Sequence, residues 1–504
     1  MFLPKHSHTR GFPCEQIVQW TEGISYEEQD MNHMSRRDFV AGIGKGALGL
    51  ASLALLEGAG WAAPDRKPNI VFILIDDMGW RDTAVYGSRF YETPNIDKLA
   101  SQGMRFTNAY AACPVCSPTR ASIMTGKYPA RLHLTDWIPG HKFPYAKLKP
   151  AEFHMELPLS ETTIAEELKR LGYATASIGK WHLGKEPFYP DKQGFDINIA
   201  GCNKGSTPSH FDPYKIPTLP TRKEGEYLAD RLTDEALGFI EKNKDRPFFL
   251  YLPHYAVHTP IQAKKEITAK YQAKVKPDDP QNRPDYAAMV QSVDESIGRV
   301  MAKLDELGIA DNTIVFFNSD NGGVHITKIT SNAPLREGKG TMYEGGIREP
   351  LIIRWPRKVK PGSLCDTPVV STDYYSTILN VAKDSPVSAR TVDGMSLMPL
   401  ITQTGAPDRK AIYWHYPHYH PGGTSPAGAV RYGDWKLIEY FEDGRLELYN
   451  LKDDLSETTN LSAQMPDMTA KLHKMLLDWR TSVNAVMPTP NPDYNPARER
   501  ERPK

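Results

Sequence analysis

Residues 69–77, NIVFILIDD, decide the fold of this chain. An apolar run of strand length without charges predicts a strand that is buried on both faces, and Asp76 and Asp77 follow it directly. Similar runs recur at residues 174–178, 248–252 and 313–317. Segments with helical periodicity lie between and after them, at residues 95–103, 160–171, 225–242 and 286–307. This alternation predicts an α/β fold in which helices flank a largely parallel sheet.

The composition excludes several classes of protein. The chain has 504 residues, with 61 Lys and Arg against 61 Asp and Glu, so it lacks the basic excess of a general nucleic-acid binder. Five cysteines are too few for a disulfide scaffold in a chain of this length. The body contains no stretch of 18 uncharged apolar residues, so we predict no membrane span in the mature chain.

Residues 1–62 are predicted to be a leader. Arg36 and Arg37 precede a Gly/Ala-rich apolar run at 41–56 and small residues at 60–63, which is the order of an export signal. The arginine pair resembles a twin-arginine (Tat) signal, so we expect the Tat machinery to export the chain to the periplasm or beyond. An arginine pair before a buried helix is the alternative, and Met31 or Met34 competes with Met1 as the start.

The remaining chain divides into three parts. We predict a catalytic domain at 67–404, a smaller α+β subdomain with an antiparallel sheet at 405–485, and an extended tail at 486–504. Within the subdomain, residues 429–441 and 446–451 are expected to pair as a hairpin around Asp443-Gly444, followed by a helix at 468–483.

Polar side chains follow each predicted strand. They are Asp76 and Asp77, Lys180 and His182, His254 and His258, and Asp320 and Asn321. Because the carboxyl ends of parallel strands share one edge, we expect these groups to converge. Three carboxylates and an amide offer only oxygen, which suits Ca²⁺ or Mg²⁺ better than zinc. The alternative is that each aspartate caps the next helix.

Residues 116–126, CSPTRASIMTG, predict a helix that begins with a reactive group. Pro118 suits the first turn, Cys116 then lies at the positive helix end, and Arg120 follows one turn later on the same face. This arrangement suits attack on an anionic ester. Cys116 as a buried structural thiol, or as a redox partner of Cys113, stays open at this point.

Four motifs together resemble one family. Residues 116–120 with Thr125-Gly126, residues 172–182 (GYATASIGKWH), residues 69–79 and residues 319–322 (SDNG) are similar to the signatures of type I, formylglycine-dependent sulfatases. These belong to the alkaline phosphatase-like superfamily, and the chain resembles secreted bacterial carbohydrate sulfatases in particular. The similarity continues through His258-Thr259-Pro260 and Gly338-Lys339-Gly340. Thr119 is a departure from the family motif, in which Ser or Ala is more common at the matching position.

The resemblance implies a role for each matching residue. A formylglycine-generating maturation enzyme would oxidise Cys116 to Cα-formylglycine, whose hydrated aldehyde attacks sulfur. Ca²⁺ would be held by Asp76, Asp77, Asp320, Asn321 and the modified Cys116. Arg120 would hold the nucleophile, and Lys180 and Lys339 would bind sulfate. His258 would protonate the leaving group and His182 would help expel sulfate; His254 is a weaker candidate, because the family's histidine lies two residues before a proline.

The substrate is expected to be a sulfated saccharide. Residues 413–420, YWHYPHYH, combine aromatic rings with imidazoles, which suits a sugar, although a core strand edge followed by a His-rich surface loop is an equal alternative. The resemblance favours galactose or N-acetylgalactosamine 4-sulfate. Two competing functions are a formylglycine-dependent phosphonate or phosphodiester hydrolase and a non-catalytic binder of sulfated glycans.

Overall fold

A computed structural model of the protein describes residues 66–385 and 392–502. The predicted leader lies outside the described residues. The strands, in chain order, are β1 (Asn69–Ile75), β2 (Met104–Tyr110), β3 (Leu148–Lys149), β4 (Ala174–Ile178), β5 (Ile197–Ile199), β6 (Phe248–Pro253), β7 (Thr313–Ser319), β8 (Arg348–Arg354), β9 (Ser363–Cys365), β10 (Val369–Val370), β11 (Ile412–Tyr416), β12 (Ala427–Tyr432), β13 (Trp435–Tyr440), β14 (Leu446–Asn450) and β15 (Thr489–Pro490).

The α-helices range from one turn to six turns. They are α1 (Pro94–Gln102), α2 (Cys116–Thr125), α3 (Pro129–Leu132), α4 (Ile164–Arg170), α5 (Leu228–Lys242), α6 (Lys265–Gln272), α7 (Pro284–Glu306), α8 (Glu344–Ile347), α9 (Asp373–Lys383), α10 (Met398–Ile401) and α11 (Pro466–Ser482). Short 3₁₀ turns cover Ala84–Tyr86, Glu186–Phe188, Pro190–Lys192 and Ala310–Asn312. No helix among the described residues is both long enough and apolar enough to cross a membrane.

The main sheet has nine strands in the order β10-β2-β8-β7-β1-β6-β4-β5, with β9 paired to β2. All neighbours are parallel except β8, which runs antiparallel to β2 and β7. Side chains of β1 alternate between two hydrophobic clusters, one on each face, which explains why its whole run is apolar. The prediction of an α/β fold with a largely parallel sheet is confirmed.

Four neighbouring strands precede the polar residues that were predicted to lie at strand ends. β7, β1, β6 and β4 are adjacent and parallel, in register from Asn69 opposite Thr313 to Ser177 opposite Tyr251. Their carboxyl ends therefore meet at one edge of the sheet, as expected. β8, which the sequence pattern did not reveal, begins and ends with arginine and so lacks the uniformly apolar run of its neighbours.

The C-terminal region forms a four-stranded antiparallel sheet in the order β11-β12-β13-β14, against which α11 packs. The prediction that residues 429–441 form one arm of a hairpin is wrong, because this segment contains parts of two strands, β12 and β13. Tyr432 pairs with Trp435 across a two-residue turn, Gly433-Asp434, where Gly433 has φ 59°. A Gly-Asp pair is a hairpin signal that the sequence analysis overlooked. The domain boundary at residue 404 stays a prediction.

The C-terminal tail contains a short strand. β15 pairs antiparallel with β3, with Thr489 opposite Lys149 and Pro490 opposite Leu148. Beyond it, the backbone N–H of Asn495 donates to the carbonyl of Tyr145 at 3.1 Å. The end of the chain is thus attached to a loop that follows α3.

Candidate active site

The strand-end residues converge as predicted. Asp76 and Asp77 follow β1, Lys180 follows β4 and Asp320 follows β7. Asp76, Lys180 and Asp320 each have 0% exposure, and Asp77 has 2%. These side chains therefore meet in a buried cluster at the carboxyl edge of the sheet.

Helix α2 points its first residue at this cluster. Cys116 begins the helix, and its thiol sulfur lies 3.4 Å from Nδ1 of His182. Ser117 stabilises the arrangement, because its hydroxyl donates to the His182 carbonyl at 2.9 Å and accepts from the backbone N–H of Ile138 at 3.1 Å. Cys113 lies elsewhere: both cysteines are free thiols, and the Cys113 sulfur is 3.8 Å from the carbonyl of Thr135.

The backbone determines which nitrogen of His182 carries the proton. Nε2 lies 2.6 Å from the carbonyl oxygen of Ile138, so it must be the protonated donor. Burial, assisted by Lys180, lowers the pKa of His182 well below its usual value, which keeps the ring neutral. Nδ1 therefore presents a lone pair to the group at position 116, and His182 can accept a proton from it.

Three cations face the three carboxylates. The Lys180 ammonium lies 2.6 Å from Oδ2 of Asp76, and the Lys339 ammonium lies 2.6 Å from Oδ1 of Asp77. Arg120 donates from Nε to Oδ2 of Asp320 at 2.9 Å and from Nη1 to the carbonyl of Lys180 at 2.9 Å. In this state Arg120 holds strand-end groups, and its expected contact with the nucleophile stays a prediction.

The carboxylates experience opposite shifts. Burial raises the pKa of Asp76 to about 8, a rise that Lys180 moderates and that repulsion from Asp320 and Asp77 reinforces. Burial also acts on Asp77, but Lys339 and His258 outweigh it and hold the pKa of Asp77 below its usual range. Three carboxylates crowded in one buried site repel one another, and a bound divalent cation would relieve that repulsion.

The donor set fits a hard cation. Oδ1 of Asp76 and Oδ1 of Asn321 are buried without a hydrogen-bond partner, although Nη2 of Arg120 approaches the former at 3.7 Å. Asn321 instead donates from Nδ2 to Oδ1 of Asp77 at 2.7 Å, which leaves its oxygen free. Buried acceptors without donors are rare unless they serve a ligand, and oxygen ligands favour Ca²⁺ or Mg²⁺. One atom each of Asp76, Asp77 and His258 also lie within 4.8 Å of one another.

The two histidines after β6 have different surroundings. Nε2 of His258 lies 3.5 Å from Oδ2 of Asp77, and 18% of its side chain stays exposed at the site. Nε2 of His254 lies 3.1 Å from the hydroxyl of Ser296 on α7, and the residue is fully buried. The preference for His258 over His254 therefore agrees with their positions.

A second group of residues flanks the cluster, and of these only His420 lies in a segment that the sequence pattern had indicated. The Trp137 ring lies 6.3 Å from the His182 ring and 4.8 Å from the His141 ring. His141 in turn lies 5.3 Å from His420. A Cβ at Gly340 would come within 2.0 Å of Nδ1 of His420, so only glycine, here with φ 85°, lets this ring lie beside Lys339. Trp137 and His141 lie on a loop without any periodic pattern, so the sequence gave no signal for them.

The aromatic segment 413–420 is mostly core. Trp414 and Tyr416 lie on β11 with 1% and 0% exposure, and they donate to Ala111 and Asp136 respectively. Their faces cannot stack on a sugar, so the core alternative is correct for this strand. His420, 7% exposed, is the member of the segment that reaches the site.

Comparison with known proteins agrees with this geometry. The family model described as Sulfatase matches residues 68–385, and that described as N-sulphoglucosamine sulphohydrolase, C-terminal, matches residues 338–482. A sulfatase of Formosa agariphila is 33% identical over 84% of this chain and 90% of its own length. Human N-acetylgalactosamine-6-sulfatase is 36% identical over 71% of this chain and 70% of its own length.

Solved structures show the same similarity. The crystal structure of Ps i-CgsB in complex with k-i-k-neocarrahexaose superposes with a TM-score of 0.71 at 30% identity, covering 85% of this chain and 95% of that chain. Sulfatases are generally dependent on formylglycine and Ca²⁺, which matches a cysteine at a helix start beside a cluster of oxygen ligands. The chain therefore belongs to the sulfatase family, as the resemblance of its motifs implied.

Proposed function

We propose that this chain hydrolyses sulfate esters of a sulfated carbohydrate, with Cys116 converted to formylglycine. The observation that carries the proposal is the position of Cys116: it begins α2, 3.4 Å from the unprotonated nitrogen of a neutral His182. A helix start favours an anionic nucleophile and an anionic substrate. The name of N-acetylgalactosamine-6-sulfatase and the k-i-k-neocarrahexaose bound to the structural neighbour support a sulfated sugar as substrate.

The formylglycine hydrate would supply the attacking oxygen, and Ca²⁺, held by Asp76, Asp77, Asp320, Asn321 and residue 116, would offset negative charge on that oxygen and on sulfate. The chain's own cations complete the site. Arg120, Lys180 and Lys339 already equal the three carboxylates in number. A divalent cation would therefore leave a positive excess, which suits an anionic ester.

Two histidines would move protons. His182 would accept one from the group at position 116, through the lone pair that the Ile138 carbonyl leaves on Nδ1. His258 would donate one to the leaving oxygen. Desolvation lowers the pKa of His258 to about 3, so this donation needs the ester's negative charge, together with Asp77, to favour the protonated ring.

The test begins with mass spectrometry of the peptide that contains Cys116, after expression with a maturation enzyme. Conversion of the thiol to the aldehyde lowers the mass by about 18 Da. Converted protein is then assayed on 4-sulfated and 6-sulfated galactose and N-acetylgalactosamine, 4-nitrophenyl sulfate and an aryl phosphonate. We expect turnover of the sulfates, with the 4-sulfated sugars preferred. Faster turnover of the phosphonate would instead favour the phosphonate hydrolase, and converted protein inert on every ester would favour the glycan binder.

His182→Gln provides the mechanistic control. Loss of the proton acceptor should lower kcat by about 10²-fold or more, because general base catalysis typically contributes that much. His254→Gln is the matched variant, since His254 is equally buried but contacts Ser296 instead. Equal losses in the two variants would contradict the role proposed for His182.

We also propose that the chain is exported by the Tat machinery and that maturation precedes export. The support is the arginine pair at Arg36-Arg37 and the apolar run after it. Replacing both arginines by lysine should retain the protein in the cytoplasm, as measured by fractionation. Unchanged export of that variant would contradict the Tat route.

A further inference from the structure

We propose that residues 489–502, here called the strap, form one wall of the sugar end of the site, and that Arg500 and Arg502 bind a second anionic group of an extended sulfated saccharide. The inference rests on the proposed function, because it concerns the substrate of that same site. It assigns a task to a segment that the chemistry of sulfate hydrolysis does not require.

The strap lies alongside the loop that carries His141. After β15 pairs with β3, Asn491 donates from Nδ2 to the carbonyls of Pro144 and Ala146 at 2.9 and 2.7 Å. The Arg498 guanidinium then lies 3.6 Å from the centre of the Tyr145 ring. These contacts fix the direction of the strap toward the site.

The end of the strap touches the second loop of the sugar end. Nη2 of Arg500 lies 3.4 Å from the carbonyl of Gly423, and its guanidinium lies 6.0 Å from the Tyr419 ring. The same loop holds His420, whose Nδ1 accepts from the backbone N–H of Gly422 at 3.1 Å. His420 packs against Gly340, the neighbour of Lys339. One loop thus separates Arg500 from a proposed sulfate-binding lysine.

His141 connects the strap with the nucleophile. It lies on the loop that Asn491 and Arg498 contact, and Arg502 follows Arg500 by two residues at the end of the strap. From His141 the contacts continue through Trp137 to His182 and the nucleophile. A sugar whose sulfate lies at Cys116 would therefore extend toward the strap.

The arginines of the strap differ in whether a carboxylate pairs with them. Among the described residues, Arg498 pairs with Glu501, whereas neither Arg500 nor Arg502 has a carboxylate within 4.0 Å. The adjoining loop adds three exposed lysines, Lys142, Lys147 and Lys149. Asp493 and Glu499 also lie on the strap, so the positions of its unpaired arginines favour an anion, and its net charge does not. Exposed cations beside a cleft attract and orient polyanions.

A purely structural role is the competing explanation. Phe143, Ala146, Leu148 and Tyr419 form a small hydrophobic cluster between the two parts of the chain that the strap contacts, and the strap could simply cover it. That role predicts a loss of stability and an equal effect on every substrate. Recognition of a second anion predicts a selective effect, so the two can be separated.

The experiment compares the full-length converted enzyme with its Arg500→Ala/Arg502→Ala variant on two disaccharides that share one scissile sulfate and differ by a second sulfate. We expect the ratio of kcat/KM, disulfated over monosulfated, to fall about tenfold, mainly through KM. The preference should also weaken with added salt in the wild type and not in the variant. Arg357→Ala is the matched control, because Arg357 is an exposed arginine beyond the end of antiparallel β8, at the opposite edge of the sheet.

A binding measurement separates this inference from the proposed function. Calorimetry of the two disaccharides on Cys116→Ala protein, which cannot turn over, should show about tenfold weaker binding of the disulfated sugar when the two arginines are removed. If the converted enzyme is inert on every ester but the arginine-dependent binding is observed, the proposed hydrolysis is contradicted and the role of the strap is not. An unchanged ratio, or equal weakening for both disaccharides, would overturn the role of the strap.

Discussion

The nucleophile end of the site consists of strand ends, one helix and a single loop residue, Lys339, whereas the sugar end consists of loops from three distant parts of the chain. The first comprises Cys116, Arg120, Lys180, Lys339 and the oxygen ligands. The second comprises Trp137, His141, His420 and the strap. Arg120, Lys180, Asp76, Asp320 and Asn321 have 0% exposure, whereas His141 is half-buried and Arg500 and Arg502 are exposed. Attack at sulfur requires fixed geometry, which a buried sheet edge supplies, while loops can change with the substrate.

The largest effect should come from the nucleophile. Cys116→Ala is expected to lower kcat by roughly 10⁴-fold or more on every sulfate ester, since removal of a nucleophile abolishes the chemical step. Cys113→Ser is the matched variant and should keep most of the activity, because the Cys113 sulfur lies 3.8 Å from the carbonyl of Thr135, whereas the Cys116 sulfur lies beside His182. Steady-state kinetics on 4-nitrophenyl sulfate measures both. A comparable loss in Cys113→Ser would favour a redox pair.

The next effect should come from the oxygen cluster. Asp77→Asn removes a charge from the predicted ligand set and should lower activity by about 10²-fold or more. Ca²⁺ that binds only the folded state raises Tm, so the variant should also lose most of that rise in calorimetry. Asp97→Asn is the control, because Asp97 accepts from the backbone N–H of Val85 beside α1. A calcium response equal to the wild type in Asp77→Asn would exclude Asp77 as a ligand.

A smaller and selective effect is expected at the sugar end. His141→Ala should lower kcat/KM about fivefold on a sugar sulfate and less on 4-nitrophenyl sulfate, because the aryl group does not fill the sugar end. His154→Ala serves for comparison, since this exposed imidazole stacks on His133 instead. If His141→Ala lowers kcat/KM equally for both substrates, His141 does not belong to a separate sugar end of the site.

The smallest effect should appear just before the strap begins. Nε2 of His415 lies 2.9 Å from the carbonyl of Val486, and burial lowers the pKa of His415 to about 4. The unfolded chain binds this proton near pH 6.5 and the folded chain only near pH 4, so stability is lost as pH falls through that window. His415→Gln should reduce the slope of the unfolding free energy against pH by up to about 1.4 kcal/mol per pH unit, the value for the uptake of one proton.

Calorimetric Tm values from pH 7 to 4.5 would measure that slope. His154→Gln is the matched substitution, because that imidazole is exposed in the folded state as in the unfolded state. The same slope in His415→Gln and the wild type would show that His415 does not contribute to the pH dependence of stability.

Prediction from the sequence succeeded where a pattern has a direct physical cause. The apolar runs at β1, β4, β6 and β7 marked strands buried on both faces, and chain direction then required their polar successors to meet. It failed for β8, whose ends are charged, and for the turn at Gly433-Asp434, where one apolar stretch hides two strands. It left Trp414 open between the core and a sugar site, because an aromatic ring suits both equally well, and only its burial decided for the core.

The sequence alone therefore determined the family, the sheet and the candidate chemical groups, since those depend on side-chain type and on the order of elements. The tertiary structure decided which loops face the nucleophile and which nitrogen of His182 is free. Every residue has a carbonyl, so no pattern marks Ile138 as the one that fixes that ring. The contact between residues 495 and 145 likewise depends on backbone pairing between distant segments, which carries no side-chain signature.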